Sequence, residues 1–460
     1  MLLIKILLIL LFLYATGYTL ITIISLMSSL KNTYNNKQYL LAIENDKSFK
    51  IKYPSISVLI PAYNEETTIK KTIESLETVN YPKFEIIVIN DGSKDNTLNY
   101  LIDAYHLKRV HKYIKPYLQT QPLRSGIFEG KINNIKLTVI DKENGGKSDA
   151  LNMGINASKY DLFLTLDADS MVQKDSIIRI AIPYLKYSNV IAVGGNVKIS
   201  NGVKFRDGRV KQFTTPNNLL VAFQIIEYFR SFLTTRVWFN KFNGNLIISG
   251  AFGLFKKSAV IHVGGYSQGI IGEDMDLVVK LHSYNLKNNN PYRIEYANNA
   301  VCWTQAPFQI KDLKSQRIRW HIGLVQTLTS HSYIFFDPKY KIVSIFSFLY
   351  YFLYEMISPL IIIAALIFLV VLWQHHIVNL SFMLFFILSY AIYTTINSWA
   401  SIYLEQYFFN YKIKKKDTLK LIFLSIFEVL GYRQINIYFK LIAIFRSGKR
   451  KQSWGTIKRK

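Results

Sequence analysis

Ile56-Ser57-Val58-Leu59-Ile60, followed at once by Pro61-Ala62-Tyr63-Asn64-Glu65-Glu66, is the stretch on which the fold turns. A short β-branched run that stops at a polar turn reads as a buried parallel strand. Phe84-Glu85-Ile86-Ile87-Val88-Ile89 repeats the pattern and exits into Asn90-Asp91-Gly92-Ser93. Between the two, Ile69, Ile73 and Leu76 recur at i, i+4 and i+7, the spacing of a helix with one apolar face. Strand, helix and strand make a βαβ unit, which Leu137-Thr138-Val139-Ile140 and Leu162-Phe163-Leu164-Thr165-Leu166 extend into a nucleotide-binding α/β sheet. The last of these runs into Asp167-Ala168-Asp169. Such sheets bind ligands beyond the carboxyl ends of their strands, so three polar turns are expected along one edge.

Outward from this middle the chain becomes apolar. Residues 2–30 are interrupted only by Lys5, a run longer than the roughly 20 residues that a bilayer core requires. It is too long for a signal peptide and lacks a small-x-small cleavage site. Three further apolar stretches, residues 342–373, 377–404 and 419–445, follow the middle, the last broken by Gly431-Tyr432-Arg433-Gln434. Glu355, beside Pro359 in the first of them, is expected to face protein or a polar cavity rather than lipid.

Basic residues follow the first span (Lys31, Lys37, Lys47, Lys50, Lys52) and the third (Lys412, Lys414, Lys415, Lys416), and close the chain (Arg446, Lys449-Arg450-Lys451, Lys458-Arg459-Lys460). The positive-inside rule puts all three groups in the cytoplasm. That parity requires three full spans plus a re-entrant or interfacial hairpin, with arms at residues 419–430 and 435–445 that are each too short to cross alone. The formal charge of +26 does not indicate nucleic acid, because no basic, aromatic-interleaved recognition module is present. The basic clusters suit membrane lipids with anionic headgroups and a polyphosphate donor. The lone Cys302 excludes a disulfide framework or a cysteine-rich zinc site.

Asp167 and Asp169 lie two apart at a strand end, so their hard carboxylate oxygens suit Mg²⁺ or Mn²⁺ shared with donor phosphates. Asn144-Gly145-Gly146-Lys147-Ser148 precedes a helical segment; it reads either as a capping turn or as a diphosphate contact, with Lys147 as the positive charge. It lacks the spacing of a Walker A loop. Ser249-Gly250-Ala251-Phe252-Gly253 follows an apolar run, and Gly272-Glu273-Asp274-Met275-Asp276-Leu277 opens a helix. Acidic residues at a helix start complement its dipole, which is one of the readings open for Glu273 and Asp276. Asp274 suits a general base, the carboxylate that an attacking hydroxyl needs within hydrogen-bond reach. Gln316, Arg319 and Trp320 fall within one turn of an amphipathic basic helix, where Arg clamps a diphosphate and an indole face meets a sugar.

In this order the motifs resemble the membrane-integrated family-2 glycosyltransferases, which include the synthases of poly-N-acetylglucosamine, hyaluronan, chitin and cellulose. The resemblance runs from about residue 5 to the end of the chain. It implies a GT-A fold, a metal-dependent hexosyltransferase with Mg²⁺ or Mn²⁺, a UDP-sugar donor with UDP-GlcNAc first, and transfer with inversion. On the donor side it implies Pro61, Ala62, Tyr63, Glu65, Asp91 at the uracil, Lys147, Asp167 and Arg319. Asp169 would meet the metal, Asp274 with Glu273 would be catalytic, and Gly250, Ala251, Gln316 and Trp320 would border the acceptor. Gln-x-x-Arg-Trp is commonest in processive synthases, and Trp454-Gly455 after a basic run resembles the poly-N-acetylglucosamine synthase branch.

The resulting expectation is an α/β, GT-A type domain at residues 51–304, inserted between an N-terminal span (1–30) and an interfacial segment (305–340). A membrane region (341–446) and a basic tail (447–460) follow. The protein is expected in the plasma membrane, multi-pass, with its catalytic domain cytoplasmic, elongating and exporting a polysaccharide. Single addition to a lipid acceptor, and a catalytically inactive sugar-nucleotide sensor, are the other readings. Residues 105–136 and 201–218 exceed the family's usual connections. So few spans leave little protein to line a polymer channel, which implies an accessory membrane subunit or a homodimer.

Overall fold

The computed structural model describes residues 2–45, 52–408 and 413–447. Its strands, in chain order, are β1 (Ile56–Ala62), β2 (Phe84–Asp91), β3 (Lys108–Val110), β4 (Leu123–Ile132), β5 (Ile135–Lys142) and β6 (Leu162–Leu166), then β7 (Met171–Val172), β8 (Val190–Ile199), β9 (Val203–Arg206), β10 (Arg209–Phe213), β11 (Phe252–Lys256) and β12 (Arg293–Thr304). Ten of them form one mixed sheet in the order β3-β4-β5-β2-β1-β6-β11-β8-β12-β7. The strands read from sequence make its parallel centre: β1 pairs in parallel with both β2 and β6, and β2 with β5.

Alternation along these strands feeds two apolar layers. Ile56, Val58 and Ile60 face one core together with Ile69, Ile73 and Leu76 of the first intervening helix, α2 (Ile69–Glu77; α1 is Leu2–Asn45). Leu59, Ile87 and Ile89 face the other, against Ala150, Leu151 and Ile155 of α4 (Lys147–Ala157; α3 is Thr97–Ala104). Because both faces are covered, the strands read as continuous apolar runs rather than as alternating ones. Among the polar exceptions, Ser57 is buried and donates to Glu85 at 2.7 Å.

The two long connections have structural occupations. Within 105–136, β3 and β4 add antiparallel strands at one sheet edge, β4 pairing with β5 from Leu123 to Ile132. Within 201–218, β9 and β10 form a separate hairpin. Its tip is held where Lys174 N donates to the Gly208 carbonyl at 2.8 Å, and just beyond its base Thr215 N donates to Asp417 at 2.7 Å.

The remaining helices are α5 (Ser176–Lys186), α6 (Leu219–Arg230), α7 (Arg236–Asn240), α8 (Lys257–His262), α9 (Glu273–Lys287), α10 (Ile310–Ser330), α11 (Ser358–Gln374), α12 (Leu380–Phe408), α13 (Lys415–Phe427) and α14 (Arg433–Arg446). By length and composition, two helical stretches are fit to cross a membrane, Ile4–Asn32 within α1 and Leu380–Tyr407 within α12. A third crossing exists only if Val343–Met356 and α11, bent by 54°, count as one. The bend falls where Pro359 occupies the first turn of α11, a position that proline accepts while breaking the helix before it. These helices mark a membrane protein.

Residues 419–445 do not form a span: α13 lies on α6 and α12, and α14 on α10 and α11. A π-helical turn at Glu428–Tyr432 joins them. There the buried Glu428 carboxylate accepts from Arg230 through both oxygens, at 2.8 and 3.0 Å, and from Arg433 at 3.3 Å. Glu355 pairs with Lys440 of α14 at 3.2 Å, so it faces protein. Lys47, Lys50, Lys412, the basic runs from Lys449 onward and Trp454-Gly455 lie outside the described residues.

One buried histidine ties this scaffold to pH. In α9, His282 Nε2–H donates to the Asn245 carbonyl at 2.8 Å and Nδ1 accepts from the Tyr292 hydroxyl at 2.6 Å. Burial disfavours a second proton and holds its pKa down, at about 4. An unfolded histidine titrates near 6.5, so the contribution is whole above that pH and is lost as pH falls towards 4, by roughly 3 kcal/mol at completion. Thermal unfolding followed between pH 7 and pH 5 should therefore slope less steeply in His282→Gln than in the wild type; equal slopes would remove His282 from the account.

Candidate active site

The carboxyl ends of β1 and β2 open on a cavity of about 740 Å³. Pro61, Ala62, Tyr63, Asp91, Lys147 and Arg319 line it, so six of the eight residues expected on the donor side share one wall system. Glu65 sits apart, its carboxylate accepting from Thr68 and its N–H donating to Thr97 at 2.9 Å, in the turn that starts α2. Asp91 is buried beneath the cavity with both oxygens engaged. Oδ1 accepts from Lys142 at 2.6 Å and from Gly145 N at 3.0 Å, and Oδ2 from Gly146 N at 2.8 Å. Gly146 has a φ of +85°, which side-chain-bearing residues rarely adopt, and from it α4 begins with Lys147.

Lys147 is the junction of the site. Its Nζ lies 2.6 Å from Asp167 Oδ1 and 3.6 Å from Glu273 Oε1. A Cβ placed on Gly250 would stand 3.0 Å from that same Nζ and 3.6 Å from Asp274 Cβ, so the absent side chain makes room for both. Asp274 Oδ2 accepts from Gly250 N at 3.1 Å, and its Oδ1 from Met275 N at 2.9 Å in the first turn of α9. The structure thus brings Lys147, Asp167, Gly250, Glu273 and Asp274 together, although more than a hundred residues separate Lys147 from Asp274. Ala251 follows, buried, its carbonyl 3.8 Å from the Cys302 thiol.

Burial opposes charge on Lys147, yet Asp167 and Glu273 outweigh it and hold the ammonium well above the ordinary lysine pKa. Glu273 shows the converse balance. Burial pushes its carboxyl up, to about 7, against the pull of Lys147 and with reinforcement from Asp274. Asp276, in the same turn, is an anchor: burial raises it, but hydrogen bonds from His331 at 2.8 Å and Ser267 at 2.6 Å win and keep its pKa low. Asp169 stands at the loop after β6, where Ser170 and Thr304 hydroxyls donate to it at 3.3 and 3.4 Å.

On α10 the stretch Gln316-Arg317-Ile318-Arg319-Trp320 divides its labour. Arg317 turns inward, bonded to Glu227 at 2.7 Å and to the Tyr432 hydroxyl at 3.2 Å, with its guanidinium 4.6 Å from the Trp320 ring. Trp320 is 44% exposed, Gln316 is half-buried, and Arg319 faces the cavity. The start of α9 is locked to this helix by glycine against glycine: a Cβ on Gly323 would meet Gly272 Cα at 2.7 Å, and one on Gly272 would meet Gly323 Cα at 2.9 Å. Ile271 N also donates to Gln326 at 3.0 Å.

Sequence reading missed three further cations on the cavity, Lys311, Lys314 and Arg446. Lys311, Lys314, Ser315 and Ile318 all line it, at i, i+3, i+4 and i+7, so a helical period carried the signal for the first two. Arg446 had none, since it reaches the cavity only because α14 packs on α10.

Residues 162–397 match the profile of glycosyl transferase family group 2, and residues 57–117 that of glycosyl transferase family 2. A poly-β-1,6-N-acetyl-D-glucosamine synthase of Staphylococcus epidermidis is 30% identical over 415 residues, 88% of this chain and 87% of that one. The enzyme of the same name from Staphylococcus aureus strain COL is 32% identical over 268 residues, 58% of this chain and 54% of its own. The solved structure of a mannosyltransferase from Pyrobaculum calidifontis, in complex with GDP-Man and Mn²⁺, superposes with a TM-score of 0.51 at 17% identity, over 92% of this chain and 99% of that one, which shows a shared GT-A fold. The chain belongs to glycosyl transferase family 2, on the branch of the poly-β-1,6-N-acetyl-D-glucosamine synthases.

Proposed function

We propose that this protein transfers the sugar of a UDP-sugar, UDP-GlcNAc before others, to the end of a β-linked extracellular polysaccharide. The transfer inverts the anomeric carbon, proceeds processively, and delivers the chain through the plasma membrane from a cytoplasmic catalytic domain. The carrying observation is the Lys147 junction beside a cationic cavity: one ammonium meets Asp167 at a strand end and Glu273 at a helix start, with Asp274 adjoining Gly250. This supports a reading in which Asp167 belongs to the phosphate side and Asp274 to the hydroxyl side. The product named for the relatives favours N-acetylglucosamine as the sugar.

In this reading the nucleoside lies over Pro61, Ala62, Tyr63 and Asp91, and the diphosphate faces Lys311, Lys314, Arg319 and Arg446. Asp274 takes the proton of the acceptor hydroxyl as its oxygen bonds to the anomeric carbon. The bond from that carbon to the diphosphate breaks, and its electron pair leaves with UDP. Gln316 and the exposed face of Trp320 receive the acceptor end.

Asp167 and Asp169 fit Mg²⁺ or Mn²⁺. Two hard carboxylates at one strand end suit an ion that keeps several waters and shares substrate phosphates. When bound, the ion would neutralise charge on the departing diphosphate. An accessory membrane subunit or a second copy of the chain would complete a path for the polymer.

Full-length protein in lipid discs, supplied with Mg²⁺ or Mn²⁺, is expected to release UDP fastest from UDP-GlcNAc among UDP-GlcNAc, UDP-Glc, UDP-Gal and UDP-GlcA, and to yield a long labelled product. Release from none of the four would overturn the donor assignment, and a single-sugar glycolipid would overturn elongation.

A further inference from the structure

At the end of β5, beneath the cavity, lies a lysine with no solvent contact. Lys142 Nζ stands 2.6 Å from Asp91 Oδ1 and 2.5 Å from Asp149 Oδ1, and donates to the Glu143 carbonyl at 2.5 Å. Its side chain and that of Asp149 are 0% exposed. A single ammonium thus joins two carboxylates, and each carboxylate reaches a different wall. Asp91 holds Gly145 N and Gly146 N, while Asp149 accepts from Gln268 Nε2 at 3.0 Å and from Gln121 N at 3.0 Å. Gly145, Gly146 and Gln268 all line the cavity.

Apolar side chains in place of all three groups would fill such a site at no greater cost in stability, because desolvating buried charges offsets much of their mutual attraction. What an apolar set lacks is the polar grip on both cavity walls. We propose that Lys142 is a positioning residue for the donor site, fixing through Asp91 and Asp149 the two cavity walls that receive the nucleoside diphosphate. The inference rests on the donor reading given above.

Charge balance makes it testable. Without Lys142 two buried carboxylates face one another across the volume its ammonium filled, and they part, releasing the Gly145-Gly146 turn and the Gln268 loop. Neutralising one of them relieves the repulsion. By calorimetry with UDP and full-length protein, K142M should bind roughly tenfold or more weakly than wild type, with a matching rise in donor KM. Its kcat at saturating donor should stay within about threefold. The double variant K142M/D149N should recover to within about threefold of wild type, the non-additive signature of a coupled pair.

K142M binding UDP as wild type does, or the double variant binding more weakly than K142M, would overturn the proposal. K142Q, which keeps a donor for one carboxylate only, serves should K142M not fold: UDP affinity should fall by roughly tenfold, and wild-type affinity overturns the assignment. Wild-type protein that binds no UDP would instead sink the donor reading itself.

Discussion

Asp274→Asn should lower turnover by about a thousandfold while UDP affinity stays within about threefold, because a general base acts on the acceptor proton and not on the donor. The substitution is nearly isosteric. Its amide oxygen still accepts from Gly250 N, which the carboxylate holds at 3.1 Å, so the acceptor wall stays in place and only the contact from Met275 N at 2.9 Å is given up. What disappears is proton affinity at a carboxylate that adjoins Gly250 and whose charge acts on Lys147. Steady-state UDP release set against calorimetric UDP binding separates the two effects, and unchanged turnover would remove Asp274 from the mechanism.

Lys147→Met should act on both stability and binding. Its ammonium is largely buried between Asp167 and Glu273, and breaking a buried pair from one side leaves uncompensated charge, about 3–5 kcal/mol. The loss has a pH signature. Glu273 already has its carboxyl raised to about 7 by burial, in opposition to Lys147, and without that ammonium the opposition vanishes. A carboxyl raised in the folded state loses stability as pH climbs through its folded pKa, so the deficit should be smallest near pH 5 and grow above about 7. Thermal unfolding at the two pH values, with UDP binding at each, checks the expectation. A deficit that shrinks as pH rises would show that Glu273 does not govern it.

The parallel centre of the sheet was legible because its strands are covered on both faces and therefore read as unbroken apolar runs. The additions to it were not. β9 and β10 alternate half-buried and exposed residues in a cation-rich stretch, and contacts far off in sequence, with Thr78, Lys174, Trp303 and Asp417, give them a place. β3 and β4 likewise depend on the edge that β5 offers. In the site, the acidic motifs announced themselves by spacing, whereas their junction did not. Nothing in Asn144-Gly145-Gly146-Lys147 tells that the lysine reaches Asp167 and Glu273, which requires the β6 end and the α9 start to converge. The apolar run at 342–373 reads as one span, and the proline within it, visible in the sequence, gives no bend angle until the helices flanking it are built.

The contact of Gly272 with Gly323 has a mechanical consequence. Main chain rests on main chain there, so no rotamer exists that would yield to a larger residue at either position. Two helices joined in this way move as one lever. The span from the Asp274 carboxylate on α9 to the guanidinium of Arg319 on α10 is therefore a gauge cut to length by two hydrogen atoms, which under the proposed mechanism would stay the same from one sugar to the next.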